Sequence, residues 1–271
     1  MKDNASAATV VTQQRLAAIF AGIPWPVWEA VVRQEPEWKH MASLLPRFGF
    51  GPFAALMVGA GLADYYLRGK ADLVYWPELQ NLFAGLPVPR SPAELFDRLA
   101  PFYEAERDHQ RKTKTLRTYL ASDLARTLWH DSVEKAVAQF PQFHRDLATT
   151  LARSDDDNQI VFAAKCLGLS LMIAGENHFD AHVLPLAGGS RLRRLTQKLN
   201  CKCAGPQGLR EFWNEIFVLV RKRHGEFSSI HLDSLLWQIE PLAQVELAAY
   251  FADLGIPETG ARLVELLAQP A

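Results

Sequence analysis

The chain has 271 residues, 49% of them hydrophobic and 22% charged, which is enough for one large folded domain or two small ones with a substantial core. A formal net charge of −1 and a pI of about 6.7 exclude a protein that coats nucleic acid or an anionic membrane through bulk charge, although a local basic face remains open. The apolar runs around 53–63 and 160–174 fall short of the roughly 18–20 residues that span a bilayer, and the start, MKDNASAATVVTQQRLAAIF, has no signal-peptide pattern, so a cytoplasmic protein with no membrane contact is expected.

Along the chain, apolar residues recur at steps of three and four in VVTQQRLAAIFAGI, then in PFAALMVGAGLADYYLRG, then through the long stretch from SPAELFDRLAPF to LARTLWH. The pattern continues in SVEKAVAQFPQFHRDLATTLARS, GLREFWNEIFVLVRKRHG, LDSLLWQIEPLAQVELAAYFADLG and PETGARLVELLAQ. Sustained period-two alternation is missing. Clusters such as GIPWP, LPRFGFGP, GLPVPRSPAEL, SDDDN, LPLAGGSR and CAGPQG supply caps and turns. These signals predict an all-α fold of about ten to twelve helices, without a repeat or a long linker.

Three blocks carry candidate chemistry. In QIVFAAKCLGLSLMIAGE the stretch from Ile160 to Ala174 holds a single charge, Lys165, on a face shared with Val161, Phe162, Gly168 and Leu169. Asp155, Asp156, Asp157 and Asn158 fall where the N-terminus of that helix should be. Such a lysine either snorkels to water along its stem or stays buried and becomes available as a nucleophile. In SSIHLDSLLWQIEPL, Asp233 and Trp237 stand four apart on one helix face, where a carboxylate and a flat ring could clamp a planar heterocycle. The bland alternative makes Asp233 an N-cap and Trp237 core. Residues 35–79 place aromatic residues beside polar ones (Glu37 and Trp38, Tyr65 and Tyr66, Tyr75 and Trp76), a pattern shared by pockets and by ordinary cores.

Taken together and in order, QIVFAAKCLG, SSIHLDSLLW, YYLRGKADLVYW, FHRDLATTLARSDDDNQIVFAAK and LPLAGGSRLRRLT resemble the archaeal-type 8-oxoguanine DNA glycosylase family, an all-helical branch of the helix-hairpin-helix DNA glycosylases, over roughly residues 35–240. The resemblance implies that Lys165 attacks the sugar carbon of a damaged nucleoside to give a covalent imine. It also implies that Asp233 and Trp237 contact the extruded purine, and that Trp76, or equally Tyr75, supplies the opposite stacking face. Two positions depart from the family pattern. Gly188 and Gly189 stand where the family carries a catalytic aspartate, so that Asp180 or another acid would have to compensate. Glu37 stands where the family has a glutamine that reads the purine, and a glutamate donates a hydrogen bond only when protonated.

Basic residues gather at 107–117, 190–202 and 220–225, where they could position phosphates while a pocket holds a flipped base, or form solvated helix faces. No Gly-x-Ser-x-Gly elbow, Walker loop or Gly-x-Gly-x-x-Gly turn is present. His178, Asp180 and His182 have a spacing that could hold a metal, but they lie in a Pro- and Gly-bounded loop, and no metal or cofactor is expected. Cys166, Cys201 and Cys203 are expected to be reduced thiols.

The expectation is therefore an all-α, helix-hairpin-helix glycosylase-like monomer, with helical subdomains at roughly 1–110 with 205–271 and at 111–204 flanking a cleft. Its partner would be duplex or single-stranded DNA carrying a damaged or modified purine. Its function would be a DNA N-glycosylase with AP-lyase activity, with Lys165 catalytic and Asp233, Trp237, Trp76, Tyr75 and Glu37 binding the base. The alternatives are a non-catalytic binder of modified bases or damaged DNA, and an N-glycosidase acting on a modified nucleoside.

Overall fold

Apolar periodicity of three and four residues produces helices throughout the computed structural model, which describes residues 7–186 and 189–268 and has no strand among them. The all-α expectation holds. The chain divides into two compact units, one assembled from Met1–Arg33 and Leu186–Ala271 and the other from Gln34–Pro185. The chain crosses between these units at Arg33 and at Pro185, each next to a short connection that carries a proline.

The first unit begins with α1 (Ala7–Ala21) and α2 (Trp25–Arg33), and the second unit follows. It contains α3 (Pro36–Met41), α4 (Leu45–Phe48), α5 (Phe50–Ala63), a π turn (Ala71–Tyr75), α6 (Trp76–Ala84), α7 (Pro92–Glu104), α8 (His109–Leu120), α9 (Asp123–His130), α10 (Val133–Thr150) and α11 (Asn158–Ile173). The chain then returns to the first unit for α12 (Ser190–Lys198), α13 (Gly205–Arg223), α14 (Ser229–Ile239), α15 (Gln244–Asp253) and α16 (Pro257–Leu267).

Long periodic stretches are cut into shorter helices by identifiable residues. The 91–130 stretch breaks where Asp108 takes a left-handed conformation (φ 55°) and again where Ser122 caps α9 by accepting from the Ala125 N–H. The 232–255 stretch ends its first helix just before Pro241. The aromatic region before residue 80 had no assigned helices in the sequence reading apart from α5; there α2, α3, α4 and α6 each carry a proline in or near the first turn, or are only a few residues long.

In the second unit, α5 is buried on nearly every side and packs against α8, α9 and α11. Its Gly61 is required by close approach: a Cβ there would sit 2.7 Å from Cys166 Sγ and 3.0 Å from the Ala163 Cα. The first unit has its own core, in which Phe20, Trp28, Trp213, Phe227, Leu235 and Phe251 are buried together. Among the described residues no single helix is long and apolar enough to cross a membrane.

Candidate functional site

Helix α11 starts where its sequence says it should, with the Asp157 carboxylate accepting from the Gln159 N–H at 2.8 Å. Its second turn carries Lys165, and because α11 is apolar all round and pressed against α5, the lysine stem has no open route to water. Lys165 is 4% exposed, and its Nζ donates to Glu35 Oε1 at 2.8 Å, in a pair whose carboxylate is 1% exposed. The amine also lies 5.7 Å from the centroid of the Phe162 ring, one of the neighbours expected from helical spacing. Lys165 is therefore a buried ion-pair partner rather than a snorkelling edge residue.

Glu35 was not recognised from the sequence. It occupies the N-cap position of α3, and the following Pro36 holds it in an extended conformation (φ −57°, ψ 139°). Two residues on, Glu37 is also buried, and its Oε2 has no hydrogen-bond partner. Burial pushes the Glu37 carboxyl well above the usual carboxylate range, the negative charges of Glu35 and Asp64 add to this, and the Lys165 ammonium opposes it. The shift favours the neutral carboxyl, which can donate as well as accept. Burial, helped by Glu37 and Asp64, also raises the Cys166 thiol, so that it is no nucleophile. The cluster thus sets Lys165 among Glu35, Glu37 and Asp64: one ammonium in an acid-rich, water-poor setting.

The two aromatic candidates differ in what they touch. Tyr75 donates to the Ala60 carbonyl at 2.8 Å and shares a 2.9 Å hydrogen bond with the Tyr103 hydroxyl, which ties it into the packing of α5 and α7. Trp76 donates from Nε1 to Asp64 Oδ2 at 3.1 Å, so it joins the lysine–carboxylate cluster through a shared aspartate. Both side chains are fully buried.

Asp233 and Trp237 belong to the first unit, on α14. That helix is capped by Ser228 and His231: the His231 Nδ1 accepts from the Ser228 backbone N–H at 3.2 Å. Burial lowers the His231 imidazole to about 3, so it stays neutral in that role. Asp233 lies inside the helix, not at its N-cap, and both it and Trp237 are half-buried. The Arg191 guanidinium sits 5.4 Å from the Trp237 ring centroid, while Arg194 makes a two-pronged pair with Glu240 at 2.6 and 2.9 Å.

Of the two glycines at the expected acid position, Gly188 lies outside the described residues. Gly189 is the N-cap of α12 in an extended conformation and offers no side chain. Asp180 pairs with His182 inside its own loop. Among the described residues no group of three or more His, Cys, Asp or Glu side chains could hold a metal, and the three thiols are free. The basic run 107–117 is not a uniform solvent face: Lys112 is fully buried and donates to Glu106 at 3.1 Å, and Arg117 lies over the Phe96 ring.

The helical architecture is that of a DNA glycosylase. The fold is similar to the crystal structure of the 8-oxoguanine DNA glycosylase from Pyrobaculum aerophilum in complex with 8-oxoguanosine, with a TM-score of 0.69 and 18% identity, over 97% of this chain and 98% of that one. Residues 17–251 match the AGOG family, described as N-glycosylase/DNA lyase, and the chain belongs to that family, as the ordered motifs had suggested. No curated protein matches its sequence.

Proposed function

We propose that the chain removes an oxidised purine such as 8-oxoguanine from DNA, with Lys165 as the amine that attacks the anomeric carbon and forms the imine required for strand cleavage. The observation that carries this reading is the burial of Lys165 against a carboxylate, in a chain of the N-glycosylase/DNA lyase family. A free lysine amine has a pKa of about 10.4 and is almost wholly protonated near neutrality. A nucleophilic lysine therefore needs a setting that excludes water and takes up its proton. Burial beside Glu35 offers both. Glu37, whose carboxyl is pushed up by burial and has an unpartnered oxygen, and Trp76 are proposed as base contacts. Asp233 and Trp237 are proposed as base contacts as well, and Tyr75, with its hydroxyl tied to Ala60 and Tyr103, is the weaker of the two aromatic alternatives.

A second reading, recognition of a modified base without excision, is favoured by Gly189, which leaves no carboxylate where the family resemblance implies one. Borohydride trapping separates the two. The protein is mixed with duplexes carrying 8-oxoguanine or an abasic site, and the excision reading expects a covalent adduct that disappears in Lys165→Gln. An adduct that survives this substitution assigns the imine to another amine. Salt-dependent duplex binding with neither adduct nor released base supports recognition alone.

A further inference from the structure

We infer that Glu35 is a catalytic residue of this reaction, the base that takes the proton from Lys165. The inference rests on the excision reading above and goes beyond it by supplying the acid–base partner.

Glu35 is in the right place for this. Its Oε1 is 2.8 Å from Lys165 Nζ, within direct proton-transfer distance, and it is 1% exposed, so water does not compete for the proton. It is held from outside α11: Pro36 sets its backbone at the head of α3, which packs against α11. The groups that face the pair are Glu37 on α3, Asp64 at the end of α5, and Cys166 on α11. Burial pushes both the Glu37 carboxyl and the Cys166 thiol up, toward their protonated forms. Asp64 accepts from the Trp76 indole N–H through Oδ2. Glu35 is hydrogen-bonded directly to the amine.

The step balances without an outside reagent. Glu35 takes one proton from the Lys165 ammonium, and the freed lone pair on Nζ forms the bond to the anomeric carbon. The bond from that carbon to the base breaks, and its electron pair leaves with the base. The departing base receives the proton held by Glu35, and the regenerated carboxylate then takes the second proton from the nitrogen now joined to the sugar. A carboxylate beside the sugar also stabilises the positive charge that develops there.

The test turns on a sign. If Glu35 only holds Lys165 in its charged form, Glu35→Gln releases a free amine and trapping at pH 7 speeds up. If Glu35 is the base, trapping on the abasic-site and 8-oxoguanine duplexes slows by about 100-fold at pH 7. The rate then recovers as pH rises and the amine loses its proton to solvent. Glu35→Asp, which keeps a carboxylate on a shorter stem, is expected to fall between wild type and Glu35→Gln. It also serves as the reporting variant if the glutamine form folds poorly, with circular dichroism and the melting temperature as controls. An unchanged or faster rate in a folded Glu35→Gln overturns the inference while leaving the glycosylase reading intact. A wild-type protein that forms no adduct overturns both.

Discussion

Among the described residues the second unit contains two buried lysine–glutamate pairs, Lys112–Glu106 and Lys165–Glu35, and the charges around them differ. Lys112 donates to Glu106 at 3.1 Å, and Glu106 also accepts from the Arg68 backbone N–H at 3.1 Å and pairs with its guanidinium at 3.2 Å. There one carboxylate is held by two cations and an amide. Lys165 donates to Glu35 at 2.8 Å, but Glu37 and Asp64 crowd the same pair, and Glu37 is left with an unpartnered buried oxygen. The first environment has more cation than acid, although Glu106 Oε1, like Glu37 Oε2, has no hydrogen-bond partner. The second has more acid than cation.

The largest expected effect comes from the reactive pair. Lys165→Gln should bring borohydride-trapped adduct to background on an abasic-site duplex, whereas Lys112→Met should leave adduct per folded molecule unchanged. If both substitutions remove the adduct equally, the distinction between the pairs fails. Lys112→Met should instead lower stability, measured by urea unfolding, by less than the about 3–5 kcal/mol of a fully stranded buried charge, because Arg68 still holds Glu106. A loss below about 1 kcal/mol would show that the Lys112 pair is not the structural partner in this comparison.

A smaller effect, of opposite sign, is expected at Glu37. The unfolded chain ionises this group near its ordinary value of 4.5, while burial keeps it protonated in the fold, so the folded state binds the extra proton between the two values. Its contribution to stability is fully present below pH 4.5 and is lost as the pH rises through the folded-state value. Glu37→Gln should therefore raise the melting temperature at pH 7 by about 2–4 °C, the shift that about 1 kcal/mol produces in a chain of this size. The difference should vanish near pH 4. A lower melting temperature at pH 7 would mean that Glu37 is ionised and stabilising. The smallest effect is expected from Arg191→Ala, which removes the cation over Trp237 and should cost at most about 1 kcal/mol in stability.

Some of this comparison was legible in the sequence. Lys165 stood out as the one charge in an apolar helix, and Asp157 marked the start of that helix correctly. Glu35 did not stand out, because its partner lies 130 residues away and a glutamate in RQEPEWKH looks like any surface acid. Lys112 was hidden in RDHQRKTKTLR, where neighbouring charges suggested a solvated or phosphate-facing helix. A helical reading could have found it: Lys112, Leu116 and Tyr119 fall at i, i+4 and i+7, and all are buried on one face of α8. The helices of residues 25–48 were missed for another reason, since their prolines read as turns although proline also suits a first helical turn.

The most direct measurement is to locate the adduct. Wild-type protein is reduced with borohydride on an abasic-site duplex, digested, and mapped by mass spectrometry. The account predicts the sugar remnant on Lys165, in the segment that reads IVFAAKCLG. A remnant on any other amine, or an unmodified Lys165 in protein that has cleaved the strand, would contradict it.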